Sequence, residues 1–214
     1  MNNKLKTAVL ISGRGSNLKC LIKMASSYEV CAVISDRNDA LGLEVASMYG
    51  IDTLVLDPKE FDSKVTFFKT LLDLIKEGEY QLICLAGFMR ILPAEFTHAL
   101  YGKLINIHPS LLPDFPGLDT HKRVLEARSA KHGCTVHFVD SGVDTGPIIA
   151  QLSLSVRADD TPDLLAKRVL QLEHRLYPWV ANGIGSGQIE LTEDKVSISD
   201  TYLKSGVKLG IKTA

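Results

Sequence analysis

Asn106 and His108 stand two residues apart in the apolar run 104–112. In a β-strand this spacing places both side chains on one face. Pro109 has no N–H to donate and therefore ends the strand directly after the histidine. Because ligands of open α/β sheets bind at the carboxyl ends of strands, the pair is predicted to face a ligand. A hydrogen-bonded Asn and a buried, satisfied His are an equally open interpretation.

Asp144 is the candidate third member of this group. It lies between Gly142 and Gly146 in a loop that joins two predicted strands. If its carboxylate reaches His108, it orients the imidazole and raises the pKa of the ring by favouring the charged form. Asn106 then offers an N–H to a developing oxyanion. No serine or cysteine adjoins the pair, so direct transfer through a tetrahedral intermediate is expected. The alternative is an Asx-type turn at Asp144.

A glycine-rich loop at 12–18 joins the first predicted strand to the first helix. Ser16 or Asn17 can cap this helix, and a helix N-terminus favours an anion, so a phosphate is expected there. The loop lacks the Gly-Lys-Ser/Thr ending of a P-loop and has Leu18 where the dinucleotide fingerprint has a third glycine. Asp36 follows roughly 20 residues later, like a ribose-binding acid, so a dinucleotide-binding oxidoreductase remains open. A glycine turn that binds nothing also remains open.

Short apolar runs alternate with helical patterns in the first half of the chain. Such alternation predicts an α/β fold with a parallel sheet and right-handed crossovers. The segment 86–93 follows a buried strand and either walls a flat apolar ligand or packs in the core. Strands are predicted at 7–12, 30–35, 53–56, 81–86, 104–108, 134–139 and 147–156, and helices at 17–26, 41–49, 61–76, 120–128 and 161–177, ending before Pro178. Residues 188–214 are predicted as short polar strands or an extended tail, within one domain spanning 1–214.

Composition limits the function classes. The 214 residues are 45% hydrophobic and 23% charged, as in an ordinary globular domain. The net charge of −1 argues against a nucleic-acid partner. The four cysteines form no Cys-x-x-Cys pair and the histidines show no metal-ligand spacing, which indicates reduced thiols in the cytoplasm and no metal. No apolar run approaches the roughly 20 residues that span a bilayer, so no membrane partner is expected.

The run Asn106-x-His108-Pro109-Ser110-Leu111-Leu112-Pro113, followed by Asp144 in a Val-Asp-Thr-Gly-Pro loop, resembles the signature of the folate-dependent formyltransferases. Gly15-Ser16-Asn17 and the segments 86–90 and 132–139 extend the resemblance over residues 8 to about 178. It implies a Rossmann-like formyltransferase fold: a mostly parallel central sheet with an antiparallel extension and helices on both faces. It also implies transfer of the formyl group of 10-formyltetrahydrofolate, as cosubstrate, to the amine of glycinamide ribonucleotide in de novo purine biosynthesis, without a metal.

Residue roles follow from the same resemblance. Asn106, His108 and Asp144 are implied as the catalytic residues, and Gly15, Ser16 and Asn17 as the phosphate site. Glu173 is implied to bind the nucleotide, although by itself it is typical of a solvated helix face. The residues implied for the folate are Lys64, Met89, Arg90, Ile91, Leu92, Val139, Asp140 and Val143. Asp119 stands where many relatives have a histidine, a departure expected to alter loop behaviour or pH dependence.

Related functions remain as alternatives within this family. Formyltetrahydrofolate deformylase shares the catalytic residues but normally adds an amino-terminal regulatory domain, and a hydrolase has less use for an acceptor phosphate loop. Methionyl-tRNA formyltransferase normally adds a carboxyl-terminal domain. A non-catalytic binding protein with the same fold is a further possibility. The chain is expected to be a monomer or weak homodimer, and the turn-rich segment 110–130 is predicted to be its mobile part.

Overall fold

The structure is a computed structural model that describes residues 4–213. Strands and helices alternate along the chain as the apolar pattern predicts. The strands are β1 (Leu5–Ile11), β2 (Tyr28–Ser35), β3 (Asp52–Val55), β4 (Leu82–Leu85), β5 (Leu104–His108), β6 (Lys131–Phe138), β7 (Ile148–Ser155), β8 (Ile189–Thr192), β9 (Lys195–Ile198) and β10 (Lys212–Thr213). The helices are α1 (Ser16–Lys23), α2 (Leu41–Met48), α3 (Lys64–Glu77), α4 (Ala94–Ala99), α5 (Thr120–Glu126), α6 (Pro162–Gly185) and α7 (Asp200–Lys208).

Eight of the strands form one sheet in the order β10-β7-β6-β5-β4-β1-β2-β3. The five strands from β3 to β5 in this order are parallel, whereas β6, β7 and β10 are antiparallel to their neighbours. This arrangement confirms the mostly parallel sheet with an antiparallel extension. The chain runs outward from β1 in both directions, so β1 and β4 flank a topological switch point, where the carboxyl ends of the strands leave a crevice.

Alternate residues of the central strands enter two separate cores. Val9 and Ile107 pack with α1 and α6 on one face, whereas Leu10 and Leu85 pack with α3 and α4 on the other. Both faces of the central strands are therefore covered, which is why β4 and the second half of β1 are apolar without interruption. The same alternation continues past the strand ends and directs neighbouring residues to opposite sides of the sheet.

The long helix α6 contradicts the prediction that it ends before Pro178. It begins as predicted, with the Thr161 side chain accepting the N–H of Leu164, but it runs on to Gly185 with Pro178 inside. A proline removes one helical hydrogen bond. Burial of the flanking turn compensates, and the Tyr177 hydroxyl donates to the carbonyls of Leu85 and Ile105 at 2.9 and 3.1 Å. Tertiary contacts thus outweigh the helix-breaking tendency of Pro178 and fix α6 over the ends of the strands.

Other differences lie where the apolar periodicity is weak. The tail contains the predicted short strands but also α7, which the sequence analysis missed, as it missed α4. Helix α3 begins at Lys64 and not at Phe61, after a 3₁₀ turn at Pro58–Glu60. Ser63 caps α3 by accepting the N–H of Thr66. The apolar side of α3 is formed by Phe67, Phe68, Leu71 and Ile75, whereas Val65 is 73% exposed.

Candidate active site

Asn106 and His108 lie on one face of β5, as their spacing predicts, and β6 supplies their neighbours. The antiparallel register places Asn106 opposite His137, and the Asn106 Nδ2 lies 3.2 Å from His137 Nε2. The His137 Nδ1 lies 2.8 Å from the Phe138 carbonyl, which can only accept a hydrogen bond. His137 Nδ1 therefore donates to the Phe138 carbonyl, and its Nε2 lies between the Asn106 amide and the Asp144 carboxylate. This contact holds the Asn106 amide on the face of β5 that it shares with His108.

His108 contacts two oxygen acceptors. Its Nε2 lies 3.0 Å from the Phe115 carbonyl, and its Nδ1 lies 3.2 Å from the Asp144 carboxylate. The predicted meeting of Asp144 and His108 is therefore confirmed. A carbonyl accepts only, so Nε2–H is the donor on that side, and the carboxylate is placed to balance a proton on Nδ1.

The loop that carries Asp144 is organised by its neighbours. Asp144 adopts a left-handed φ of 56°, a region that Asp tolerates better than most residues, and accepts the N–H of Gly117 at 2.8 Å. Asp140 closes the loop by accepting the Gly142 N–H at 3.0 Å and the Thr145 hydroxyl at 2.7 Å. The Asx-type turn therefore belongs to Asp140, which leaves Asp144 free to face the histidines.

Burial and contacts act in opposite directions on these two groups. Burial lowers the pKa of His108 below its ordinary value, against the opposing effects of the Phe115 carbonyl and the Asp144 charge. The carboxylate alone was expected to raise the pKa of His108, but desolvation outweighs its effect. Burial alone raises the pKa of Asp144, but contacts with His137, the Gly117 N–H and His108 outweigh it and hold the pKa below the ordinary value. Asp144 is therefore ionised at neutral pH.

His137 is a member of this cluster that the sequence analysis did not assign to it. Its Nε2 lies 3.7 Å from the second Asp144 oxygen, and its side chain is only 2% exposed. The alternation of β6 placed His137 and Thr135 on one face, but nothing local showed which strand they would meet. Thr135 has a structural role, because its hydroxyl donates to the Ser110 carbonyl and accepts the Leu112 N–H. It thereby holds the loop that follows His108.

A small cleft of about 130 Å³ opens beside Asn106, His137 and Asp144. Six of the residues implied for the folate line it: Arg90, Ile91, Leu92, Val139, Asp140 and Val143. Met89 lies in the neighbouring large cleft, and Lys64, exposed at the start of α3, lines neither. The structure therefore brings six of these residues together with Asn106 and Asp144 and leaves Met89 and Lys64 outside the small cleft.

A large cleft of about 590 Å³ lies on the other side of the segment that follows β4. Gly15, Ser16 and Asn17 line it, with Glu173 from α6. Gly15 has φ +73° and occupies the cap position of α1 without a side-chain cap, so the predicted capping by Ser16 or Asn17 is wrong. The first backbone N–H groups of the helix consequently have no helical acceptor, which favours an anion at this end.

Glu173 is buried in this cleft, which overturns the interpretation of a solvated helix face. Its carboxylate accepts from Asn17 Nδ2 at 2.7 Å, and its residue is 8% exposed. Burial raises the pKa of Glu173, with Asn17 and Arg14 opposing the shift. The Asn17 Oδ1 is buried with no hydrogen-bond partner among residues 4–213. Together these groups offer a ligand both a carboxyl and an open acceptor.

Asp36 is not placed as a ribose-binding acid. Its side chain is 2% exposed and pairs with Arg90, with 2.5 Å between Nε and Oδ2. Leu18 is fully buried in the core and leaves no close approach of the kind a third fingerprint glycine allows. Asp36, which kept a dinucleotide-binding function open, thus pairs within the fold, and Leu18, which counted against that function, packs in the core.

Neither a metal centre nor a membrane span is found in the described part of the chain. Over residues 4–213, no three His, Cys, Asp or Glu side chains come together in a group that could hold a metal ion. No helix among the same residues is long and apolar enough to cross a bilayer.

The fold and the site define a member of the formyl transferase family. The chain belongs to this family, because the family model for formyl transferases matches its residues 5–181. Among solved structures, the chain is similar to a phosphoribosylglycinamide formyltransferase from Coxiella burnetii, with 42% sequence identity and a TM-score of 0.88. That similarity covers 92% of this chain and 94% of the other.

Curated relatives include single-function and fused proteins. The chain is 41% identical over 194 residues to the phosphoribosylglycinamide formyltransferase of Escherichia coli (strain K12), covering 89% of this chain and 92% of the relative. It is 45% identical over 195 residues to a trifunctional purine biosynthetic protein, adenosine-3, of Gallus gallus, covering 89% of this chain and 19% of the relative. The chain therefore spans about a fifth of the length of that fused relative.

Proposed function

We propose that the protein transfers the formyl group of 10-formyltetrahydrofolate to the amine of glycinamide ribonucleotide, a step of de novo purine biosynthesis. The observation that carries it is that Asn106 and His108 of β5 meet His137 and Asp144 beside the small cleft, which one chain segment, 86–92, separates from the large cleft. A transfer reaction needs two ligands whose reacting atoms are held together. The names of the relatives support this substrate pair.

The catalytic groups suit a direct transfer. The substrate amine attacks the formyl carbon, a C–N bond forms, and negative charge develops on the formyl oxygen. Asn106 donates a hydrogen bond to that oxygen, and protonated His108 donates a second one from Nε2 in place of its bond to the Phe115 carbonyl. The developing negative charge favours this protonated form against the burial that lowers the pKa of His108, and Asp144 balances the charge from the Nδ1 side. The bond between the formyl carbon and the folate nitrogen then breaks. The proton lost by the amine passes, with the help of Asp144, to the departing folate nitrogen, which balances the reaction.

The large cleft is the proposed nucleotide site. The backbone N–H groups of Gly15, Ser16 and Asn17 receive the phosphate at the start of α1. Glu173 binds the ribose or glycinamide part, where the open acceptor of Asn17 adds a second contact. With the phosphate at the start of α1, the nucleotide would extend so that its amine lies toward the strand ends that carry the proposed catalytic residues.

The small cleft is the proposed site of the pterin. It has an apolar wall of Leu85, Phe88, Ile91, Leu92, Val139 and Val143 and a polar wall of Asn106, His137, Asp140 and Asp144. Helix α3 packs on the same face of the sheet as Leu85 and Phe88, so its exposed Lys64 is available to the acidic tail of the folate. The residues proposed for the folate are Lys64, Met89, Arg90, Ile91, Leu92, Val139, Asp140 and Val143.

The remaining properties are proposed on the same basis. Residues 1–214 form one formyltransferase domain that works in the cytoplasm as a monomer or weak homodimer. Its partners are the two small-molecule substrates, without a metal, a nucleic acid or a membrane.

A formyl-transfer assay with 10-formyltetrahydrofolate, run with and without glycinamide ribonucleotide, tests the proposal. Formylated product that forms only with the nucleotide supports it. Formate released regardless of the nucleotide indicates a deformylase and overturns it. Absence of any turnover overturns both enzymatic functions.

A further inference from the structure

The segment 87–93 after β4 is a partition between the two clefts. It has neither helical nor strand structure. Gly87 and Met89 line the large cleft, whereas Phe88 and Arg90 line the small one, followed by Ile91 and Leu92. Because one irregular segment forms a wall of both clefts, whatever fixes its position determines the shape of both.

Polar contacts from the ends of two neighbouring strands hold this partition. The Ser12 N–H donates to the Gly87 carbonyl at 3.1 Å, and the Ser12 hydroxyl accepts the Met89 N–H at 2.9 Å. Asp36, directly after β2, accepts from Arg90 Nε at 2.5 Å. Ser12 therefore fixes the half that faces the large cleft, and Asp36 fixes the half that faces the small cleft.

The contact between Asp36 and Arg90 joins a buried carboxylate to a half-exposed cation. The Asp36 side chain is 2% exposed and the Arg90 side chain is 40% exposed. Within residues 4–213, Arg90 is the cation paired with Asp36, and the Asp36 Oδ1 is buried without a hydrogen-bond partner. A buried carboxylate is stable only while its cation stays in place, so Asp36 strongly favours the observed position of Arg90.

We infer that Asp36 is a positioning residue for the small cleft: it acts through Arg90 to hold the wall against which the folate binds, without itself contacting the ligand. The inference rests on the proposed function, because it assigns a folate to that cleft. It gives a role to an acid that the sequence alone offered as a ribose ligand. It also predicts that Asp36 affects the folate site more than the nucleotide site, because Ser12 holds the other half of the partition.

The test compares Asp36→Asn and Asp36→Ala with the unmodified protein. Binding of tetrahydrofolate is measured by calorimetry, and formyl transfer by steady-state kinetics. Loss of one charge-assisted hydrogen bond is expected to weaken tetrahydrofolate binding about tenfold in Asp36→Ala and less in Asp36→Asn, which keeps an acceptor. The KM for 10-formyltetrahydrofolate rises in parallel, while kcat and the nucleotide KM change less than about twofold.

Asp39→Asn is the matched control. Asp39 also pairs with an arginine, Arg37, at 2.7 Å, but both side chains are exposed and neither lines a cleft. This variant is expected to keep the folate affinity. A thermal melt of each variant separates a local loss of affinity from loss of the fold.

Arg90→Ala and the double variant Asp36→Ala/Arg90→Ala show whether Asp36 acts through Arg90. If it does, the double variant binds tetrahydrofolate no more weakly than Arg90→Ala alone. Additive losses overturn the inference, as does an Asp36→Ala variant that is folded and retains full folate affinity. If the unmodified protein binds tetrahydrofolate but transfers no formyl group, the proposed function fails and the affinities still decide the inference. If it binds no tetrahydrofolate, both are overturned.

Discussion

The two clefts lie on either side of the same partition but are built in different ways. The large cleft of about 590 Å³ is lined chiefly by one contiguous loop, 12–17, and one face of α6, and is completed by residues near the ends of β4 and β5 and by His121 of α5. The small cleft of about 130 Å³ collects side chains from β4, β5 and β6, from the partition segment 88–92 and from the loop 139–144. A contiguous motif can be recognised in a sequence, whereas a site collected from several strand ends exists only after the sheet has formed.

The proposed catalytic cluster, which consists of Asn106, His108, His137 and Asp144, is assembled like the small cleft from separate segments of the chain. Asn106, His137 and Asp144 come from three different segments and line that cleft together. Perturbing one cleft should therefore change the binding of one ligand, and perturbing the cluster should change turnover without changing the binding of either.

Asp144→Asn is expected to produce the largest effect. Asparagine keeps the size of the side chain but removes the charge that balances a proton on His108. We expect kcat to fall about 1,000-fold, while calorimetry shows both ligands bound nearly as before. Asp159→Asn, at an exposed position outside the clefts, is the control. Retention of more than a tenth of the activity contradicts the assigned role.

Acid is expected to destabilise the protein through a histidine pair behind the large cleft. His121 lines that cleft, and its Nδ1 lies 2.9 Å from the Nε2 of buried His132. Burial, reinforced by His121 and His108, lowers the pKa of His132 to about 4. The unfolded chain therefore binds this proton near pH 6.5 and the native protein only near pH 4. The free energy of unfolding is therefore highest above pH 6.5 and decreases as the pH falls toward 4. Protonation of His132 accounts for about 3 kcal/mol of this decrease.

Urea unfolding at pH 6.5 and pH 4 measures this loss in the free energy of unfolding. His132→Gln, which can keep a hydrogen bond, should remove about 3 kcal/mol of the difference between the two pH values. His98→Gln, at an exposed position on α4, should leave the difference unchanged. Equal pH dependence in His132→Gln and the unmodified protein contradicts the prediction.

Gly15→Ala should damage the large cleft alone. A Cβ at this position would lie 2.5 Å from the Gly42 Cα, and the φ of +73° adds strain. The phosphate loop must shift, so we expect the nucleotide KM to rise about 100-fold with little change in the folate KM. Gly50→Ala is matched in backbone strain, with φ +65°, but its Cβ meets open space. A normal nucleotide KM in Gly15→Ala would move the phosphate away from this loop.

Ile91→Ala should produce the smallest and most selective effect. Ile91 lines the small cleft and is 82% exposed, so its truncation should change the free energy of unfolding by less than about 0.5 kcal/mol. Burial of the side chain against a bound pterin should make the folate KM rise about fivefold in the variant. Val65→Ala, 73% exposed on α3 and outside both clefts, is the control. An increase in the nucleotide KM instead would contradict the division between the clefts.

The predicted fold was most accurate where periodicity is strong. The buried strands and the two-sided helix packing follow from continuous apolar runs, because both faces of a parallel sheet are covered. The predicted end of α6 was wrong, because burial and the Tyr177 hydrogen bonds outweigh the helix-breaking tendency of Pro178. Helix α7 was missed because Gly206 interrupts its pattern, although the glycine fits closely against Trp179.

Among the site residues, too, those marked by local spacing were predicted and those set by tertiary contacts were not. The spacing of Asn106 and His108 and the glycines around Asp144 were readable locally, and the structure brings these residues together. His137 was missed because only the β5–β6 register places it opposite Asn106. The pKa of His108 was predicted in the wrong direction because its burial cannot be read from sequence.

The sequence by itself determined the alternation of elements, the shared face of Asn106 and His108, the glycine loop before α1 and the family resemblance, because each depends on spacing along the chain. Tertiary structure alone decided that Glu173 is buried against Asn17, that Asp36 holds Arg90 and that His137 joins Asp144. These contacts join residues distant in sequence. Their strength depends on exclusion of water, which only the packed sheet and helices provide.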